Sequence, residues 1–384
     1  MASEDAHRWR LRDTLDWLIF EGRFAPDFDA FVEQAGLRLL ADGAPVSRFR
    51  LSFRTLHPLV TAVTGIWERD KATVQHMEAR HGMETRDAYV GSPMAQIAEN
   101  AEPLRIRLDA ALDRDAHYTL HDLKARGATD YFGCRLPFAN EGVGIMVLNS
   151  DEVGGFREEE ITGFQTLASA LAPIVEIERL KRISDAVAEA YLGPRTGQRV
   201  LGGRITRGDV ETIDAAIMIS DLRNWTGISA NLSPEDAIAL ANRYFDLVSE
   251  AVEAEGGEIL KFMGDGVLAI FSDVPGAADP CERAIAAARA ALIAGKEAEL
   301  RFGFGLHVGE VLYGNIGSEA RLDFTVLGGA VNVAARIEAL CSKLDRPLLY
   351  SADFAARLAN PGEIAAEELL KGLAAPTTIY GTAT

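Results

Sequence analysis

Two short stretches of this chain each place a carboxylate where an apolar run stops. Ile217-Met-Ile-Ser-Asp221 ends on the first, and Lys261-Phe-Met-Gly-Asp265-Gly holds the second in a glycine-flanked turn. Carboxylates at adjacent strand ends suit a pair of hard cations, and paired Mg²⁺ is a common device for phosphoryl and nucleotidyl chemistry. Asn332 and Arg336 lie four residues apart in Val331-Asn-Val-Ala-Ala-Arg336, hence on one face of a helix. An arginine there suits the negative charge that grows on a phosphate in a transition state. Asn332 suits orientation of an attacking ribose oxygen; on their own, the two residues read first as an exposed helical face. Lys261 precedes Asp265 by four residues, an even number, so a continuous strand would put both on one face. On its own, Lys261 reads equally as a solvated lysine or as a donor to a purine ring nitrogen.

The elements that must hold these residues can be traced in the pattern. From Ala215 the order reads strand (215–220), helix (234–254), strands (258–262 and 267–271), helix (280–297) and strand (302–308). Ser233-Pro234-Glu235 caps the first helix with proline at its first position. This βαββαβ order predicts a ferredoxin-like arrangement. A helix near 330–342 and strands near 347–350 and 377–381 follow.

Composition narrows the setting. The chain has 384 residues, 48% of them hydrophobic, enough for two domains with separate cores. Its formal charge of −18 argues against general affinity for nucleic acid or an anionic membrane. No apolar run reaches the ~18 residues of a membrane span, and the N-terminal MASEDAHRWR lacks the apolar centre of a signal peptide. Cys134, Cys281 and Cys341 fit no metal spacing and read as three reduced thiols. A cytoplasmic protein is expected.

In the N-terminal half, residues 10–41 read as helical. Val46–Leu56 alternates, with Val46, Arg48, Arg50 and Ser52 on one side and Phe49, Leu51 and Phe53 on the other. Val60–Met77 continues the pattern. Residues 134–138 and 142–149 read as a hairpin. Phe156 opens a long helix with acidic residues in its first turn, and Ile161, Phe164, Ala168, Leu171 and Val175 form a seam. Pro173 predicts a kink. His117 and His121 lack a third ligand and read as an ordinary helical pair. Trp67, Phe49, Phe53 and Met146 read first as core.

From about Asp209 to Tyr380 the chain resembles the catalytic domain of class III nucleotidyl cyclases. The resemblance rests on DLRNWT, KFMGDGVLAIF, GLHVGEVLYGNIG, RLDFTVLGGAVNVAARIE and LLKGL, all five in order. It implies a homodimer with active sites at the interface and two Mg²⁺ or Mn²⁺ ions per site, bound by Asp221 and Asp265. It further implies that Lys261 and Thr325 select the purine, that Asn332 and Arg336 stabilise the transition state, and that Lys371 and Arg321 bind phosphate. Guanylyl members usually carry an acidic residue where Lys261 stands, so the resemblance points to ATP, giving cyclic AMP and pyrophosphate. Asn224 and Gly329 depart from the family's common Gly and Asp. Guanylate cyclase, or a catalytically silent nucleotide-binding dimer, are the competing readings. Residues 25–178 resemble a GAF-type sensor, through Asp130-Tyr-Phe-Gly-Cys-Arg-Leu-Pro-Phe, Gly142-Val-Gly-Ile-Met-Val-Leu and Phe156. This implies either a small-molecule ligand that the sequence does not name or a domain that only dimerises. The expected division is a sensor at 1–178 with an antiparallel sheet and helices, a helical connector at 179–208, and a cyclase domain at 209–384.

Overall fold

The computed structural model describes residues 9–371 and 375–382. The first eight residues of MASEDAHRWR, and Gly372 and Leu373 of LLKGL, lie outside the described residues. The chain divides into two compact units, Met1–Val187 and Ala188–Thr384.

The first unit begins with α1 (Leu11–Phe20) and α2 (Phe28–Ala41). The sequence pattern predicts one continuous helical stretch, but Pro26 and the Asp27 cap, which accepts from the Ala30 amide, start a second helix. Six antiparallel strands follow: β1 (Arg48–Arg54), β2 (Val60–Glu68), β3 (Gln75–Arg80), β4 (Leu104–Arg107), β5 (Asp130–Leu136) and β6 (Gly144–Ser150). Their order in the sheet is β3-β2-β1-β6-β5-β4. The run after Val60 is therefore a hairpin, turning between Arg69 and Val74, rather than one strand. Helices α3 (Pro93–Asn100) and α4 (Tyr118–Ala125) connect the strands. The unit closes in α5 (Glu158–Leu192), which runs through Pro173 without interruption and whose residues from Ala188 on belong to the second unit.

Alternation along β1 sends Phe49, Leu51 and Phe53 into a core with Trp67, Met146, Leu171 and Val175. The aromatic group thus packs as core. Asp130, fully buried, accepts from the Phe156 amide at 3.0 Å and from Arg105 at 2.9 Å, which ties β5 to the start of α5. His117 caps α4, its Nδ1 accepting from the Thr119 amide, while His121 is exposed. Among the described residues no group of three or more His, Cys, Asp or Glu side chains could hold a metal ion.

The second unit opens with α6 (Pro194–Leu201) and continues through β7 (Val210–Leu222), α7 (Trp225–Ser229), α8 (Pro234–Ala254), β8 (Glu258–Met263), β9 (Gly266–Ser272), α9 (Pro280–Glu297) and β10 (Phe302–Gly317). Ser233 caps α8 as its sequence predicts. Next come β11 (Leu322–Leu327), α10 (Gly329–Lys343), β12 (Leu348–Ser351), α11 (Ala352–Ala355), β13 (Glu363–Glu368) and β14 (Thr377–Gly381). The eight-stranded sheet is ordered β13-β14-β12-β10-β7-β9-β8, with β11 paired to β10. Both faces of β7 are buried. Ala216 and Met218 pack with Tyr244 and Val248 of α8, and Ala215, Ile217 and Ile219 pack with Val326 and Ala334. Apolar side chains on successive β7 positions leave polar chemistry only at the strand's ends. Cys134, Cys281 and Cys341 are free and buried. No helix among the described residues is long and apolar enough to cross a membrane.

Candidate active site

Asp221 lies one residue before the end of β7, opposite Gly266 at the start of β9. Asp265 sits in the turn just before Gly266, where Gly264 adopts φ +66°. The Leu222 amide donates to the Asp265 carbonyl at 3.3 Å and clamps the turn to the strand end. The two carboxyls are near enough for the charge of one to act on the other. Burial first, then the charge and hydrogen bond of Asp265, push Asp221 up to about 6. Two half-buried acids that repel this way form a donor set suited to a hard divalent cation, and two carboxylates leave most of its coordination to other oxygens. The residues present fit such an ion.

Behind this pair, Tyr244 of α8 donates to the Ser220 hydroxyl at 2.8 Å and fixes the last turn of β7. Arg223 reaches Glu338 of α10 at 3.6 Å. The sequence reading missed this buried pair. Its signal was Glu338 on the same helical face as Ala334, Ile337 and Cys341, all buried. Burial pushes Glu338 up to about 7; Arg223 opposes the shift, and Asp221 and Asp265 add to it.

That shift has a measurable consequence. The ordinary value is 4.5, so between about 4.5 and about 7 the folded unit binds more protons than the unfolded chain. Stability contributed by protonated Glu338 is present at low pH, and it is lost as pH rises to about 7. Glu338→Gln is expected to flatten the fall of the urea midpoint between pH 5 and pH 8. Parallel curves for the two proteins would refute the role given to Glu338.

Lys261 lies on β8, beside a bulge between Ile259 and Lys261. The strand ends at Met263, so the even spacing from Lys261 to Asp265 does not put them on one strand face. Lys261 instead meets Asp323 of β11 at 2.9 Å, and holds the Asp323 carboxyl below its usual range. Thr325 is two residues further along β11, on the same face as Asp323. Lys261 and Thr325 are thus presented by neighbouring elements, joined through an acid that the sequence reading passed over. The alternation Asp323-Phe324-Thr325-Val326 was its signal.

Asn332 is exposed and Arg336 partly buried on α10. Each is two residues, about 200° of helix, from a buried position: Ala334 and Glu338. They face away from the side through which Glu338 feels Asp221 and Asp265. Gly329, first residue of this helix, has open space around it and Gly328 offers no side-chain cap. Arg321 is exposed in the β10–β11 turn and Lys371 is exposed beyond β13. Among the described residues, no hydrogen bond or ion pair joins the carboxylates to Lys261, Thr325, Asn332, Arg336, Arg321 or Lys371. Asn224 has φ +57°, a left-handed conformation that asparagine tolerates and glycine adopts freely, which accounts for the departure at that position.

Comparison with known proteins finds matches to this part of the chain. Residues 210–345 match the family described as adenylate and guanylate cyclase catalytic domain. Adenylate cyclase 1 of Rhizobium meliloti is 36% identical over 137 residues, 33% of this chain and 21% of that protein. An adenylate cyclase of Anabaena cylindrica is 28% identical over 222 residues, 53% of this chain and 43% of that protein. The chain spans less than half the length of these curated relatives. The crystal structure of the adenylyl cyclase CyaB from P. aeruginosa matches with 24% identity and a TM-score of 0.40, covering 46% of this chain and 96% of that one. Residues 210–345 of this chain thus carry its match to the adenylate and guanylate cyclase catalytic domain family.

Proposed function

We propose that the chain is an adenylate cyclase that forms cyclic AMP and pyrophosphate from ATP at sites shared between two copies. The observation that carries this reading is the mutually repelling pair Asp221–Asp265 at neighbouring strand ends of a cyclase-family domain. Two Mg²⁺ or Mn²⁺ ions held by these carboxylates would supply charge neutralisation and a lowered pKa for the ribose 3′-hydroxyl. In the reaction the 3′-oxygen bonds to the α-phosphorus as its proton leaves, and the bond to pyrophosphate breaks. The protein's own part is positioning and charge compensation. Asn332 orients the ribose, Arg336 meets the charge growing on the α-phosphate, and Lys371 and Arg321 bind phosphate oxygens. Their placement away from the chain's own carboxylates favours a site completed by a second copy.

Lys261 and Thr325 read the adenine edge in this account, with Asp323 steering the ammonium. The named activity of the Rhizobium and Anabaena relatives favours ATP as well. The N-terminal unit, with its six-stranded antiparallel sheet and long terminal helix, serves as a GAF-like sensor that regulates turnover, with a helical connector beginning near residue 179.

The test is a side-by-side assay of pyrophosphate and cyclic nucleotide from ATP and from GTP, with Mg²⁺ and with Mn²⁺. ATP is expected to be preferred. Lys261→Glu alone would set two carboxylates together at Asp323, so base exchange is tested in Lys261→Glu, Thr325→Cys, Asp323→Asn. Unmatched buried polar groups cost about 1–3 kcal/mol, so the ATP:GTP ratio of kcat/KM should fall by about tenfold or more. An unchanged ratio in an active variant contradicts the assignment of Lys261 and Thr325. A flat trace with both nucleotides and both ions marks a silent dimer instead.

A further inference from the structure

The polar side of β1 lines a cavity. In the N-terminal unit, α3, α4 and the chain following β3 pack over this side and leave a partly open cavity of about 410 Å³. That volume falls in the range of small-molecule sites. Most of its wall is apolar, including Met77, Leu123, Ile145 and Val147, and one region is polar.

The polar region holds an imbalance. Arg50 lines the cavity, and its hydrogen-bond partners are two neutral hydroxyls, Ser52 at 3.0 Å and Thr64 at 3.4 Å. No carboxylate pairs with it among the described residues. Its neighbour Arg48 is matched by Glu68 at 3.2 Å, and so brings no free acid. Glu78 also lines the cavity, but His76 at 3.6 Å and Arg182 at 3.9 Å flank it; Glu84 is exposed. Burial and the charge of Arg48 push Arg50 down to about 10, so the site lacks a negative charge rather than a positive one. The Tyr131 residue, 3% exposed, also lines the cavity, and its hydroxyl has no hydrogen-bond partner. An unmatched cation and an orphaned hydroxyl in one apolar-walled cavity are each costly unless a ligand completes them.

We propose that this cavity binds a small organic anion, its carboxylate or phosphate paired with Arg50 and accepting a hydrogen bond from Tyr131, and its apolar body packed against Met77, Leu123 and Ile145. Ser52 and Thr64 fix the guanidinium by accepting from it, so its other donors remain for the anion. This site rests on the N-terminal unit alone and does not depend on the cyclase reading.

The experiment uses the full chain and two fluorescent probes of similar shape. One, 1-anilinonaphthalene-8-sulfonate, carries an anion; the other, N-phenyl-1-naphthylamine, is neutral. The sulfonate dye is expected to saturate at one site per chain. Arg50→Met should weaken it by about tenfold or more, because a charge-assisted contact is lost. The neutral dye should be little changed, Arg50→Lys should recover part of the loss, and the Tm of Arg50→Met should equal or exceed that of the wild type. Displacement of the dye by octanoate assigns a carboxylate ligand, and by octyl phosphate a phosphate ligand. Equal sulfonate-dye affinity in wild type and Arg50→Met overturns the proposal, as does failure of the wild type to bind the dye. Equal displacement by octanol does so too. Parallel loss of both dyes with a lowered Tm would make Arg50 a structural group and overturn it as well.

Discussion

Asp221→Ala and Asp265→Ala are each expected to remove nearly all turnover while the fold survives. Each variant strips one of two carboxylates from the site that suits a divalent cation. Loss of that charge stabilisation, several kcal/mol in the transition state, lowers the rate by about a hundredfold or more. The fold should tolerate the change, because burial and the neighbouring Asp265 raise the cost of ionising Asp221 rather than stabilise the unit. Without divalent ions, the Tm of either variant should therefore match or exceed that of the wild type. Mn²⁺ should raise the wild-type Tm by preferential binding to the folded state, and should do so much less in either variant. Near-normal turnover in Mg²⁺ for either protein would remove the carboxylate pair from the mechanism.

The closeness of Asp221 and Asp265 was legible because they sit at the ends of strong periodic elements. Apolar strands that end on Asp221 and before Asp265 can be seen in any reading of β7 to β9. What was not legible depended on local departures from regular structure. The strand carrying Lys261 ends two residues before Asp265, and Gly264 turns the chain with a positive φ, so counting residues gave the wrong face. β10 runs to Gly317, well beyond the expected 308, because its distal half pairs with β11, whose short alternation was overlooked. Long-range pairing of this kind leaves little trace in one strand's composition. Asp323 stayed hidden for that reason.

In the N-terminal unit the alternation of β1 separated Phe49, Leu51 and Phe53 from Arg48, Arg50 and Ser52 correctly. It could not show that the polar side is covered. The covering helices α3 and α4 have eight residues each, too short for a clear period against their polar neighbours. Pro26 split the first helix for a reason visible in the sequence, and the periodicity on either side masked it.

The central claim is that each active site is assembled from two copies, with Asp221 and Asp265 from one chain and Asn332 and Arg336 from the other. α10 turns Asn332 and Arg336 away from the side that senses the chain's own carboxylates. Asp265→Ala and Arg336→Ala, each as a pure protein, should therefore be nearly inactive. Mixing them after subunit exchange should restore activity. In a mixed pair one site takes Asp265 from the Arg336→Ala chain and Arg336 from the Asp265→Ala chain, and is intact. The other site carries both lesions. Equal random mixing makes about half of all dimers mixed, each with one good site of two, so roughly a quarter of wild-type activity should return. The decisive measurement is cyclic AMP formation by the mixture, with mixed dimers quantified by two different affinity tags. Recovery near a quarter supports the shared site; recovery near zero, with mixed dimers present, would contradict it.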